Sequence, residues 1–385
     1  MNCGKVILGF FVLVIGLIWA ILRTELKDDI FLSFEKYCAK FGYEVITYEI
    51  VTEDDYVLTL FRIPGKGKPV LLLHGLVVTA DSFILNQCAK SPAFTLADNG
   101  FDVWLGNLRG NHISYKHSKI DNEHEDYWDF SFEDFVDHDF KSFVDFIKSS
   151  TNSEKIIVVG HSLGGAVITN AISLYPDYKN HISLAILLGT PGGIIHPSSL
   201  YIRFLASGIV QKLSKIFGFK SFLYWVDSPF IAQFISNFKS VSRYLAKDMM
   251  DLDLIGGHED DIIIYSYRNR GGISVKATEY LVQHYWNQAE QPKRFDFGPE
   301  GNVKRYGTEH PPGIFYSNIS LNIAIINGKF DAVFTQEDSR IFKTSIPQQY
   351  LVYYEDQYEL DHAGLLYACN MTHVDNMVKL INVYG

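Results

Sequence analysis

Apolar residues along the chain fall into two kinds of pattern. Short runs at Tyr56–Ile63, Pro69–Leu73, Phe101–Leu105, Lys155–Val159, Leu184–Leu188, Leu321–Ile326 and Tyr350–Tyr354 each end in glycine or polar residues. Several are continuous stretches of four to six apolar positions, as expected for strands covered on both faces. Between them, apolar residues recur at steps of three and four. In FEDFVDHDFKSFVDFIKS these are Phe132, Phe135, Val136, Phe140, Phe143, Val144 and Phe146, which predicts an amphipathic helix over 132–149. Strands alternating with helices give an α/β class with a mostly parallel central sheet.

That alternation stops between about Pro191 and Pro312. SSLYIRFLASGIVQKLSKIFGFKSFLYWVDSPFIAQF is helical in period and rich in aromatics, and the polar segments after it read as loops. The stretch is expected to be an inserted, mainly helical cap. The chain then divides into a leader over 1–27, a core in two parts over 28–190 and 313–385, and a cap over 191–312. In the leader, an uninterrupted apolar run from Val6 to Leu22 follows Lys5. A cleaved signal peptide and an uncleaved membrane anchor both fit this length; cleavage near Ala20 is the preferred reading. Either sends the rest of the chain into the secretory pathway, where Asn318-Ile-Ser320 and Asn370-Met-Thr372 become glycosylation candidates.

Composition narrows the function classes. The 385 residues carry a net charge of −10, with Lys and Arg scattered, which argues against nucleic acid as a partner. Aromatic residues make up 15% of the chain, enough to furnish a large apolar binding surface. Outside the leader there are Cys38, Cys88 and Cys369, too few for a zinc site or a disulfide framework; one bridge at most is expected, with a free thiol left over. The stretch DNEHEDYWDFSFEDFVDHDF invites a metal-site or paired-carboxylate reading, but its carboxylates alternate with aromatics, which favours a solvated acidic face with a buried aromatic stripe.

The candidate chemistry centres on KIIVVGHSLGGAV. Gly160, His161, Ser162, Leu163 and Gly164 form G-x-S-x-G between a β-branched run and a helix former. A strand that turns sharply into a helix at a serine leaves the hydroxyl exposed beside a helix N-terminus, and glycines are needed where the two elements nearly touch. A serine nucleophile needs a histidine base and an acid, in the order Ser, acid, His. Asp331 lies beyond a strand in LNIAIINGKFDAVF, and His362 lies beyond the final strand in YLVYYEDQYELDHAGLL. Glu337, Asp338 and Asp361 compete with Asp331, and His373 competes with His362 from a helix-like segment. Oxyanion donors are expected from the backbone N–H of Leu163 and of Leu76 in PVLLLHGL, with His74 in a hydrogen-bonding role.

The stretches YEVITYEIVTEDDYVLTLFRIP, LLLHGL, LADNGFDVWLGNLRGNHISYKH, YWDFSFEDF, GHSLGG, KRFDFGPEGNVKRYGTEHPP and NGKFDAVF resemble the acid lipase family, which includes gastric and lysosomal acid lipases. The resemblance runs from about Tyr37 almost to the C-terminus. It implies an α/β-hydrolase fold with Ser162, Asp331 and His362 as catalytic residues, Leu76 and Leu163 as oxyanion donors, and Arg109 as a structural residue near the site. It also implies acidic working conditions. Leu163 stands where many animal members have Gln, AGLL replaces the usual aromatic-acidic sequence after the histidine, and the cap cysteines of the family are missing.

Together these features imply a lipase that hydrolyses triacylglycerol or cholesteryl ester at a lipid–water interface, secreted or lysosomal, needing neither metal nor organic cofactor. An esterase for short soluble esters uses the same machinery. A non-catalytic lipid-binding or membrane-tethered protein is the reading from another class, and the complete Ser–Asp–His set argues against it.

Overall fold

In the computed structural model, residues 28–190, 196–222, 261–286 and 292–385 are described. The apolar leader and the aromatic stretch that continues past Phe222 lie outside them. The strands are β1 (Ile46–Val51), β2 (Tyr56–Ile63), β3 (Pro69–Leu73), β4 (Asp102–Gly106), β5 (Lys116–His117), β6 (Ile156–His161), β7 (Ile182–Leu188), β8 (Ser221–Phe222), β9 (Ile273–Ser274), β10 (Asn322–Gly328) and β11 (Leu351–Tyr358). The main sheet runs β1-β2-β4-β3-β6-β7-β10-β11, with β5 paired to β2. Only β2 runs antiparallel to its neighbours on this path; every other pair, from β4-β3 to β10-β11, is parallel.

β3, β4 and β6 are buried at every position, because helices cover both faces of the sheet. Alternate residues point to opposite sides. Leu71, Leu73 and Val158 join the helical segments Phe132–Asp134, Phe135–Phe140 and Lys141–Thr151 in one core. Val70, Leu72, Ile157 and Val159 join the C-terminal helix Thr372–Tyr384 in the other. Burying one such side chain contributes roughly 1.5–3 kcal/mol, so each face holds its helices firmly.

The sequence reading missed β1. Its residues alternate between partly exposed and exposed, and only Ile50 is buried, so no continuous apolar run marks it; pairing with β2 makes it a strand. The reading of the acidic stretch also needs correction. Glu133, Asp134 and Asp139 are buried rather than solvated. Arg294 Nε donates to Glu133 Oε2 at 2.5 Å and Arg305 Nη2 to Asp134 Oδ1 at 3.0 Å. Asp139 accepts from Arg109 Nε at 2.7 Å and from the Arg109 N–H at 2.9 Å. The other side of the Arg109 guanidinium grips Asp54 at 2.6 and 2.9 Å. Burial pushes the Asp54 carboxyl up, but the hydrogen bonds and charge of Arg109 outweigh it and hold it at about 2. Asp54, Asp134 and His138 lie close enough to share a cation, yet guanidinium groups already engage both carboxylates.

Between the two parts of the core, the described residues form helices Leu200–Ala206, Ile209–Phe217, Asp261–Arg268, Val275–Trp286 and Gly298–Tyr306, plus the β8–β9 ribbon. The later part was read as loops because its polar residues dilute the helical period. Packing supplies what the period does not: Tyr280 stacks on Phe132 with ring centroids 3.9 Å apart, and its hydroxyl accepts from Asn170 at 2.9 Å.

Candidate active site

β6 ends at His161, and the helix Leu163–Leu174 begins one residue after Ser162. Ser162 therefore occupies the turn, with φ 53° and ψ −120°, a backbone region that residues other than glycine rarely adopt. The glycines around it are required by close approach. A Cβ on Gly160 would lie 2.4 Å from the nitrogen of Gly165, and one on Gly164 would lie 2.2 Å from the Leu73 carbonyl. Gly165 faces Thr190 at 1.8 Å in the same sense. The turn aims the helix N-terminus, including the N–H of Leu163, at the carboxyl edge of the sheet.

β3 reaches the same edge. A Cβ on Gly75 would stand 3.2 Å from the Ser162 Cβ, so the loop carrying Leu76 lies against the serine. His74 orients this loop. Its Nδ1–H donates to the Gly75 carbonyl at 2.9 Å, while Nε2 accepts from the Leu108 N–H and from Asn111 Nδ2, each at 3.1 Å. The Gly75 carbonyl and the Leu76 N–H share one planar peptide unit, so fixing the oxygen also fixes the direction of that donor. Burial, only partly offset by the Gly75 carbonyl, pushes the His74 imidazole down to about 4.

Asp331 follows β10 and is 4% exposed. Its Oδ1 accepts from the N–H groups of Val333 and Phe334 at 3.0 and 2.7 Å, leaving Oδ2 to take the His362 Nδ1–H at 2.9 Å. His362 sits in the loop beyond β11. Its ring lies 4.7 Å from that of His161, and the His161 Nε2–H donates to the His362 carbonyl at 3.1 Å. A residue adjacent to Ser162 thus clamps the loop that carries His362. Burial, reinforced by the neighbouring His362, pushes the His161 imidazole down to about 3, which keeps this donor neutral. Gly189, with φ +52°, lets both partners pack beside β7; a Cβ there would lie 2.9 Å from Asp331 Oδ2 and 3.1 Å from His362 Nδ1.

The competing groups are engaged elsewhere. Asp338 binds His196 Nδ1 at 2.8 Å, Asp361 Oδ1 accepts the Gly364 N–H at 2.5 Å, and Glu337 is exposed in the first turn of the helix Gln336–Ser345. His373 Nε2 donates to the Leu365 carbonyl at 2.8 Å, and burial pushes its imidazole down to about 4.

Three features escaped the sequence reading. Val77 has φ +51°, a strained conformation for a β-branched residue. From the cap, the Gly271 N–H holds the Val77 carbonyl at 3.0 Å, and a Cβ on Gly271 would meet the Val77 backbone at 2.5 Å. The cap therefore latches the loop that carries Leu76. The third is the pairing of the one bridge that the cysteine count allowed: Cys88 with Cys369, which joins the loop beyond Leu76 to the loop beyond His362. Asn86 Nδ2 reinforces it by donating to the Leu366 and Ala368 carbonyls at 3.2 and 2.9 Å. Cys38 is free and buried.

Residues 68–362 match the family model described as "alpha/beta hydrolase fold", and residues 34–87 match "Partial alpha/beta-hydrolase lipase region". Among curated relatives, Homo sapiens "Lipase member K" is 30% identical, the match covering 82% of this chain and 81% of that protein. Homo sapiens "Gastric triacylglycerol lipase" is 28% identical over 89% of this chain and 88% of its own length. Among solved structures, carboxylesterases from Nitrososphaera gargenis share the fold with a TM-score of 0.52 at 13% identity, the match covering 88% of this chain and 98% of theirs. A thermophilic esterase from Thermogutta terrifontis gives 0.50 at 17% identity, over 88% of this chain and 100% of its own.

Proposed function

Because the chain belongs to the α/β-hydrolase fold family and, within it, to the acid lipases, we propose that this carboxylic ester hydrolase cleaves neutral lipids, triacylglycerol or cholesteryl ester, through an acyl-enzyme on Ser162. What supports the reading is the strained Ser162 at the end of β6, the Asp331–His362 hydrogen bond packed beside Gly189 at the end of β7, and the Gly75 loop, which leads into Leu76, lying against Ser162. In this mechanism the Ser162 oxygen attacks the ester carbonyl, and His362 takes the hydroxyl proton and passes it to the departing alcohol. Asp331 holds the imidazole with its Nδ1 protonated and stabilises the imidazolium. The two N–H groups bind the oxyanion, each such donor contributing roughly 10²–10³ in rate. Water, activated by His362, then releases the fatty acid.

The name of the gastric triacylglycerol lipase relative supports triacylglycerol over a short soluble ester, and Leu205, Val210 and Val275 form an apolar cluster against which Leu76 packs. The gastric lipase relatives support a destination in the secretory pathway. The Cys88–Cys369 bridge suits an oxidising compartment, and secretion or lysosomal delivery is the finer destination we infer. Among the described residues no helix is long and apolar enough to cross a membrane. Hydrolysis of emulsified trioleoylglycerol, a cholesteryl ester and a soluble butyrate ester, measured for native protein and for Ser162→Ala, tests the reading. Turnover of an emulsified ester that disappears in the variant is expected. Turnover of the butyrate ester alone would replace the lipase with an esterase.

A further inference from the structure

Helices Leu200–Ala206 and Ile209–Phe217 form the described cap surface above the oxyanion loop. Their inner face is buried: Leu205 and Val210 cluster with Val275, and Leu76 packs against that cluster. Their outer face leaves six large apolar side chains in solvent. Leu200, Phe204, Ile209 and Leu213 are 39–58% exposed, and Ile216 and Phe217 are 72% and 74% exposed. Large apolar side chains exposed together on two successive helices mark a surface that meets something apolar.

The charge on these helices selects among partners. From Ser199 to Phe222 there is no Asp or Glu, whereas Arg203, Lys212, Lys215 and Lys220 are present, in a chain whose net charge is −10. Lys220 is drawn toward Glu125 and Asp126, at 3.5 and 3.9 Å. Arg203, Lys212 and Lys215 are exposed beside the apolar side chains and form no ion pair among the described residues. Exposed apolar residues interleaved with unpaired cations suit the boundary between headgroups and acyl chains of a negatively charged lipid layer. A second copy of this acidic chain would need a matching acidic apolar face. A purely neutral oil droplet would leave the cations without a role.

We propose that the outer face of helices Leu200–Ala206 and Ile209–Phe217 docks the enzyme on an anionic lipid surface, a partner that deepens the lipase reading above and rests on it. Docking through this face sets the cluster that contains Leu76 directly beneath the bound layer.

The test uses full-length Ser162→Ala protein, so that hydrolysis does not alter the surface, in flotation with vesicles of phosphatidylcholine alone or mixed with phosphatidylglycerol. Binding to the mixed vesicles is expected to be the stronger and to weaken with salt. Reversing Arg203, Lys212 or Lys215 to Glu should weaken it by roughly fivefold each. Ile216→Ser with Phe217→Ser should abolish it. The same changes in a chain with Ser162 intact should leave fluorophosphonate labelling unaltered. Equal, salt-insensitive binding to both vesicles, binding indifferent to these changes, or a dimer that the serine pair dissociates would each overturn the proposal. Fluorophosphonate labelling does not depend on docking. Its loss with vesicle binding preserved would instead count against the hydrolase reading alone.

Discussion

At the carboxyl edge of the sheet the proposed reacting groups are constrained: Ser162 is half-buried, and its two partners are buried. Ser162 is held at φ 53° between glycines that admit no side chain, and Asp331 and His362 are 4% and 8% exposed. On helix Ile209–Phe217, Ile216 and Phe217 leave about three-quarters of their surface in solvent, at 72% and 74%, beside Lys212 and Lys215, which form no ion pair among the described residues. The first region holds the proposed reacting groups in preset positions, which is what transition-state stabilisation requires; the second is the face proposed above to dock on lipid. Changes at the edge should therefore act on every ester, and changes on the outer cap face only on esters presented at a surface. Gly271 is one of the points where the two regions touch, together with the cluster of Leu205, Val210 and Val275 under Leu76, and it holds Val77 in the loop that carries Leu76.

The largest effect should come from Asp331→Asn, which presents the wrong tautomer to His362. Turnover should fall by roughly 10⁴ on soluble and emulsified esters alike, and steady-state kinetics on both substrates would check it. A loss confined to emulsified ester would erase the distinction between the regions. Arg109→Met should come next. It leaves Asp139 buried without its cation and should cost about 3–5 kcal/mol in stability, read from the urea midpoint. Gly271→Ala drives a methyl group into the Val77 backbone and should lower kcat by roughly 10² through a displaced Leu76 donor. Its thermal midpoint should stay close to native, so the latch is separable from folding. A variant with native kcat would show that cap and edge are uncoupled.

The smallest effect concerns pH. Burial holds the His373 imidazole at about 4 in the folded state against 6.5 in an exposed one. Between those values the unfolded chain takes up a proton that the folded chain refuses, so stability falls as pH drops from about 6.5 toward 4. His373→Gln removes this titration while keeping a donor for the Leu365 carbonyl. The native chain should lose about 2 kcal/mol relative to that variant by pH 5, seen in denaturant midpoints across pH.

The same two regions differ in how much of each could be read from the sequence. Runs such as Pro69–Leu73 and Lys155–Val159 betray strands because burial on both faces leaves no polar positions. The elbow is local, so GHSLGG carries its whole geometry within a few residues. Asp331 and His362 were legible because strand ends in a parallel sheet bring them to one edge. What escaped depends on distant partners. Glu133 and Asp134 looked solvated because Arg294 and Arg305 arrive from 161 and 171 residues away. β1 has one buried position and no apolar run. Nothing in the spacing links Gly271 to Val77, and Cys88 and Cys369 are 281 residues apart.

The proposed chemistry depends most on Ser162 being the activated nucleophile, and a fluorophosphonate probe followed by peptide mapping addresses that directly. The predicted result is a single adduct on Ser162 that forms rapidly in native protein, slows in His362→Ala and Asp331→Asn, and is absent in Ser162→Ala. An adduct on another serine, or no adduct in correctly folded native protein, would contradict it.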